Sequence, residues 1–306
     1  MQGDTMSRSN HSPRFIARGL LALAAAVGLA AGAGIMPASA APPGDQDTGV
    51  ARAVQSAAKA GGGKPAPSTT VAYVALGDSY TAGQGAGPYF DTTCYRSTTS
   101  SYPIFADTLN SRVDLKTNQA CSGASTADIP AQLSALPTTV DPSTVGLVTL
   151  TVGGIDAGSN QVATACPNGT VTQTCSDLLT LTTAEQADLT TKLTGAYKAV
   201  KAKFPKAKVV AAGYPRFFTG IYLFSDFPRR LNASIDTLDA VIKSAAAANG
   251  VTFVDVRDEF NGHEIGSFSG QWINYGSTDP NEDFHPNASG YRYGYYQALV
   301  NDRVLP

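Results

Sequence analysis

The chain has 306 residues, 43% of them hydrophobic and 15% charged, with 22 basic against 24 acidic side chains and a formal charge of −2. That near balance excludes a strongly basic nucleic-acid binder, which needs an electropositive face, and the apolar content excludes a disordered chain. The length fits one large domain or two small ones.

Residues 1–40 read as a processing segment rather than as fold. Arg8, Arg14 and Arg18 form a basic leader, Gly19 to Met36 is apolar and rich in Ala and Leu, and Ala38-Ser39-Ala40 supplies small residues for cleavage. This is the layout of a secretory signal peptide. The rival is an uncleaved anchor, which the many Ala and Gly residues disfavour. Beyond the leader, no run reaches the roughly 18 apolar residues of a membrane helix. Residues 41–70 are mostly Ala, Gly, Pro, Ser and Lys and read as a flexible linker. The folded domain is expected over 71–306, in a secreted monomer.

Within that domain, Val71 to Leu76 is a short apolar run ending at Gly77, as expected of a buried strand and tight turn. Tyr102 to Leu109 has helical spacing. A weaker strand is expected over Val113 to Gln119 and a stronger one over Val145 to Val152, before Gly153-Gly154. Leu189, Leu193, Tyr197, Val200 and Phe204 recur on one helical face, with a Thr182/Glu185 capping box at its start and Pro205 at its end. Lys208 to Gly213 is the next strand. Leu231, Ile235, Leu238 and Ile242 mark another helix, which Gly250 closes. A strand over Val251 to Val256 and a helix over Ala288 to Val300 complete the order. Strands alternating with helices imply a parallel sheet covered on both faces, a three-layer α/β/α domain with ligands beyond the carboxyl ends of the strands.

Four cysteines in an oxidising compartment are more often structural than redox-active. They allow three pairings, of which the sequential one, Cys94–Cys121 and Cys166–Cys175, is preferred. No pair has C-x-x-C spacing and the three His lie far apart, so no metal site is expected.

Gly77-Asp78-Ser79-Tyr80 directly follows the first strand, where a bend exposes a hydroxyl at the sheet edge. Serine needs an adjacent base, and the base an orienting partner. Taken alone, a Ser in a Gly-rich bend is an ordinary turn residue. Of the three His, His11 lies in the leader and His263 in an unpatterned loop. His285 lies in Glu282-Asp283-Phe284-His285-Pro286-Asn287, at an element boundary next to carboxylates, where a general base is held.

Four blocks then occur in order: Gly77-Asp78-Ser79-Tyr80, Ala120-Cys121-Ser122-Gly123-Ala124-Ser125, Val152-Gly153-Gly154-Ile155-Asp156 and Asp283-Phe284-His285-Pro286-Asn287. The series resembles the SGNH (GDSL) hydrolases, especially their secreted bacterial lipases and esterases, over about 71–303. The resemblance implies a flavodoxin-like sheet and acyl-ester hydrolysis without a cofactor. It assigns Ser79 as nucleophile, His285 as base, and the backbone N–H groups of Ser79 and Gly123 as oxyanion donors. Both preferred disulfides also resemble bridges of secreted members.

Two departures stand out. Ile155 occupies the position of an Asn whose side chain donates to the oxyanion. Either the enzyme is slow, or another amide such as Asn160 or Gln84 completes the hole, or catalysis is lost and the fold kept. The second departure concerns the partner of His285. The family spacing favours Glu282, three residues before it, over Asp283, while some secreted members use a backbone carbonyl instead. For the substrate, Phe217, Phe218, Ile221, Tyr222, Leu223, Phe224 and Phe227, with Trp272 and Tyr275, form either an acyl-binding wall or a loop packed on its own core. Arg229-Arg230 reads either as a contact for a phospholipid head group or as a solvated pair. Asn168 and Asn232 start sequon-like triplets.

Overall fold

The computed structural model describes residues 70–306; the expected signal peptide (1–40) and the linker apart from its last residue lie outside the described residues. Five strands form one parallel sheet: β1 (Val71–Gly77), β2 (Val113–Asn118), β3 (Val145–Thr151), β4 (Lys208–Ala212) and β5 (Thr252–Val254), in spatial order β2-β1-β3-β4-β5. This is the doubly wound order expected from the alternation of elements. The strand over Val251 to Val256 is shorter than expected. The register aligns Gly77 with Thr151, so β1 and β3 end together on one rim. Both are almost continuously buried, as strands covered on two faces must be.

Helices α1 (Ser79–Ala82), α2 (Tyr102–Leu109), α3 (Ile129–Ser134), α4 (Thr183–Lys203) and α5 (Asp226–Ala248), with several shorter turns, connect the strands. In α4, Thr182 and Glu185 form the expected capping box, and Leu189, Leu193, Tyr197 and Val200 are almost wholly buried. Each such side chain contributes about 1.5–3 kcal/mol by leaving water. Helix α5 ends at Asn249 and Gly250, the latter left-handed at φ +62° as a closing glycine should be.

The final helix differs from expectation. It is π-helical over Gly290–Tyr296 and α-helical over Gln297–Asn301. A Cβ on Gly294 would collide with the Phe260 ring, and one on Gly290 with the Trp272 carbonyl. Two glycines weaken the α-helical preference, and the wider turn still buries Tyr291 and Tyr295. Both disulfides follow the preferred pairing, Cys94–Cys121 and Cys166–Cys175. Among the described residues, no helix is long and apolar enough to cross a membrane.

Candidate active site

The chemistry-bearing residues converge on the rim where β1 and β3 end. Gly77 sits at φ +118°, and a side chain there would strike the Thr151 carbonyl, so only glycine lets the chain turn out of β1 at this point. The buried Gln132 amide clamps this turn from α3, accepting from Gly77 N–H at 2.8 Å and donating to its carbonyl at 2.7 Å. Asp78 caps α1 by accepting from the Tyr80 N–H at 3.0 Å. Ser79 is therefore the first residue of a helix, with its backbone N–H unengaged among the described residues.

Across the rim, Ser79 Oγ lies 2.9 Å from His285 Nε2. The other ring nitrogen, Nδ1, lies 3.0 Å from the backbone carbonyl of Asp283. A carbonyl only accepts, so Nδ1 carries the proton and Nε2 presents its lone pair to the serine. Sequence spacing favoured the carboxylate of Glu282, or that of Asp283, and the structure corrects this. Glu282 accepts from Tyr89 Oη at 2.7 Å. The Asp283 carboxylate accepts from the backbone N–H groups of Gly276 and Ser277, at 3.1 and 2.8 Å.

The reason is backbone geometry. Phe284 is left-handed at φ +61°, which folds the Asp283 carbonyl back under the imidazole. That strained conformation is held on three sides: Phe284 N–H donates to Asn274 O at 2.8 Å, Tyr80 Oη donates to Phe284 O at 2.5 Å, and Asn274 N–H donates to His285 O at 2.9 Å. Gly85 completes the fit, since at φ +92° a side chain there would meet the Cβ of His285 at 2.8 Å. Burial pushes the His285 imidazole down to about 4; its bond to the Asp283 carbonyl and the Asp283 charge oppose this but do not cancel it. Glu282→Ala and Asp283→Ala are accordingly expected to leave kcat within a few-fold of the parent in steady-state ester hydrolysis. A hundred-fold loss in either would return the orienting role to a carboxylate.

The remaining blocks frame the serine. Cys121 N–H donates to Gly77 O at 3.0 Å, and Ser122 N–H donates to Cys94 O beside the disulfide, which fixes the approach of the exposed Gly123 to the rim. Gly123, at φ +77°, has open space where a side chain would be, and its N–H is unengaged among the described residues. The third block is tied to the second, because Asp156 accepts from Thr126 N–H and Oγ1, both at 2.8 Å. It is tied to the first through a residue that sequence reasoning missed. Tyr214 Oη accepts from Gly154 N–H at 3.1 Å and donates to the Asp78 carboxylate. Asp78 also accepts from Thr151 Oγ1 at 2.7 Å, yet burial outweighs these bonds and pushes its carboxyl up to about 6. Tyr214 follows β4 in an otherwise apolar stretch, so its sequence gives no sign of this bridge.

Tyr214→Phe removes both bonds, leaving the half-buried Gly154 N–H without its partner and one oxygen of the buried Asp78 carboxylate without a donor. It is expected to cost about 1–3 kcal/mol in urea unfolding, and to lower kcat more than it raises KM, since the blocks carrying Ser79 and Ile155 lose their link. An unfolding midpoint and kcat equal to the parent's would show that the bridge holds nothing.

Ile155 is partly exposed in the turn after β3, and its side chain has no donor. Of the two amides considered as substitutes, Gln84 donates to the Asn281 carbonyl, while Asn160 is exposed on the following short helix. The aromatic segment divides. Phe217 and Phe218 are buried and join Tyr275 and Phe284, the residue before His285, edge to face, with ring centroids 5.4–6.1 Å apart. Trp272 instead stacks on His263 at 3.7 Å, and Phe224 is 93% exposed, so neither belongs to that wall. Arg229 and Arg230 pair with Asp226. Asn232 is buried and bonded to the backbone of Phe217 and Phe218, so its sequon-like triplet is structural. Among the described residues, no group of three or more His, Cys, Asp or Glu is placed to hold a metal ion.

The profile of the GDSL-like Lipase/Acylhydrolase family matches residues 75–293. Lipase 1 of Streptomyces coelicolor is 38% identical over 246 residues, covering 76% of this chain and 87% of that protein. The crystal structure of the extracellular lipase of Streptomyces rimosus gives a TM-score of 0.66 at 33% identity, covering 76% of this chain and 99% of its own. That of phospholipase A1 from Streptomyces albidoflavus gives 0.64 at 33% identity, with the same coverage of each chain.

Proposed function

Since the chain belongs to the GDSL-like lipase/acylhydrolase family, we propose that it is a secreted, monomeric serine ester hydrolase that cleaves lipid or other acyl esters through an acyl-enzyme. The observation that carries this reading is the chain Ser79 Oγ, His285 Nε2, His285 Nδ1, Asp283 O, with contacts of 2.9 and 3.0 Å. His285 takes the serine proton as Oγ attacks the ester carbonyl. The Ser79 and Gly123 N–H groups receive the developing oxyanion. Imidazolium returns the proton to the leaving alcohol, and water, deprotonated by the same ring, releases the acid. A carbonyl orients the ring but offers an imidazolium less charge stabilisation than a carboxylate would, which fits the low pKa of His285.

Export is supported by the three-part leader over residues 1–40 and by two disulfides in the folded domain. The wall of Phe217, Phe218, Tyr275 and Phe284, the last being the residue before His285, favours an apolar acyl group over acetate, and so a lipase or phospholipase over a carbohydrate acetyl esterase. A panel of p-nitrophenyl esters from acetate to long chains, with Ser79→Ala as blank, tests this. The expected result is turnover that depends on Ser79, with kcat/KM rising beyond acetate. No Ser79-dependent turnover across the panel would leave the second reading, a binding module that keeps the fold, which Ile155 favours.

A further inference from the structure

Two loops meet beside the aromatic wall, and their tips are bare. Phe224 is 93% and Phe268 100% exposed, and Tyr222, Leu223 and Tyr275 are partly so. A short parallel bridge between Phe218 and Ile265 holds the loops together, with Ile265 N–H donating to Phe217 O at 2.8 Å and Thr219 N–H to Ile265 O at 3.1 Å. The ring of Tyr222 lies against Gly266, where a side chain would collide with it. From this pair of loops, the buried Phe218 contacts Tyr222, Tyr275 and Phe284 with ring centroids 5.6, 5.8 and 6.1 Å apart, so a line of ring contacts leads from the exposed Tyr222 to the residue before His285.

The edge is also uncharged. Residues 217–225 and 265–278 contain no Asp, Glu, Lys, Arg or His, in a chain that is 15% charged. The nearest cations along the chain are all engaged: Arg216, which directly precedes Phe217, by Asp236, and Arg229 and Arg230 by Asp226. Scattered exposed apolar residues need no explanation, but an apolar, uncharged edge linked by ring contacts to a reaction site marks an interaction surface. We propose that Phe224 and Phe268, with the exposed Leu223 next to Phe224, insert into the surface of neutral or zwitterionic lipid aggregates and so bring the ester bond to Ser79. Aromatic tips suit this because they bury a large area with little conformational cost. The occupant is electrically neutral because the edge offers nothing to an anionic head group. This inference rests on the ester-hydrolase reading only for its purpose; the binding itself is measured without turnover.

The test is co-sedimentation with dioleoylphosphatidylcholine vesicles, using Ser79→Ala protein so that no lipid is consumed. The expected result is binding that Phe224→Ser/Phe268→Ser weakens by at least about tenfold, given the apolar area each ring removes from water, and that high salt does not weaken. The same double substitution in active protein is expected to leave dissolved p-nitrophenyl acetate hydrolysis within about twofold and to lower turnover of an emulsified long-chain ester about tenfold. Absence of vesicle binding, binding indifferent to the double substitution, or binding that salt abolishes would each overturn the proposal. So would a concentration-dependent dimer in ultracentrifugation that the double substitution dissolves, because the edge would then be covered by a second copy of the chain. Vesicle binding in a protein without esterase activity would keep this inference and remove the catalytic one.

Discussion

Ile155→Asn is expected to raise kcat on p-nitrophenyl esters by up to about 10²–10³-fold with little change in KM, because one oxyanion donor is worth about 2.7–4 kcal/mol in the transition state alone. The proposed hole has two donors, the N–H groups of Ser79 and Gly123, both unengaged among the described residues. The neighbouring amides are engaged elsewhere: Gly154 N–H donates to Tyr214 Oη, and the Gln84 amide to the Asn281 carbonyl. The scaffold that would aim an asparagine is nevertheless complete. Asp156 holds Thr126, and Gly158 N–H closes the turn on Ile155 O at 3.0 Å. A third donor would therefore arrive in a site already organised to hold it. An unchanged kcat would mean that the hole is completed by another route.

His285→Ala is expected to lower kcat by about 10⁴-fold or more, since a serine without its base loses nearly all of its nucleophilic advantage. The parent's pH profile carries the same information. Burial places the His285 imidazole at about 4, well below the ordinary histidine value. The neutral, proton-accepting form therefore persists through pH 5 and 6, and kcat/KM falls only as the pH drops through about 4. Asp78, one residue from the serine, titrates at about 6 and adds a shallower inflection there, which Asp78→Asn is expected to remove while leaving the limb near 4 in place. A single steep limb near 6.5 that survives Asp78→Asn would place His285 in an ordinary aqueous environment, against the geometry described here.

What could be read in advance was whatever hydrophobic periodicity or a compact motif controls. The apolar run ending at Gly77 located both β1 and Ser79, and the repeat from Leu189 to Phe204 located α4 with its capping box. The pairing of Ser79 with His285, 206 residues apart, was implied by the resemblance that the four ordered blocks carry, and the structure brings the two side chains together. The orientation of His285 did not follow. Residue spacing compares side chains, whereas the group bonded to Nδ1 is a main-chain carbonyl turned inward by a left-handed Phe284. Phenylalanine carries no signal for that conformation; it is imposed by Tyr80 and Asn274, far away in sequence. Tyr214 and Gln132 stayed hidden for a related reason, since a single polar side chain in an apolar neighbourhood does not reveal which distant backbone group it will meet. The π-helical turn at Gly290–Tyr296 depends on the close approach of Phe260, again a tertiary fact.

The claim on which the rest depends is that His285 activates Ser79. Labelling folded, disulfide-intact protein with a fluorophosphonate and mapping the modified residue by mass spectrometry tests it most directly. The account predicts one label per chain, on Ser79, lost in His285→Ala and retained in Glu282→Ala and Asp283→Ala. An unlabelled parent, or labelling of Ser79 that proceeds as fast without His285, would contradict it.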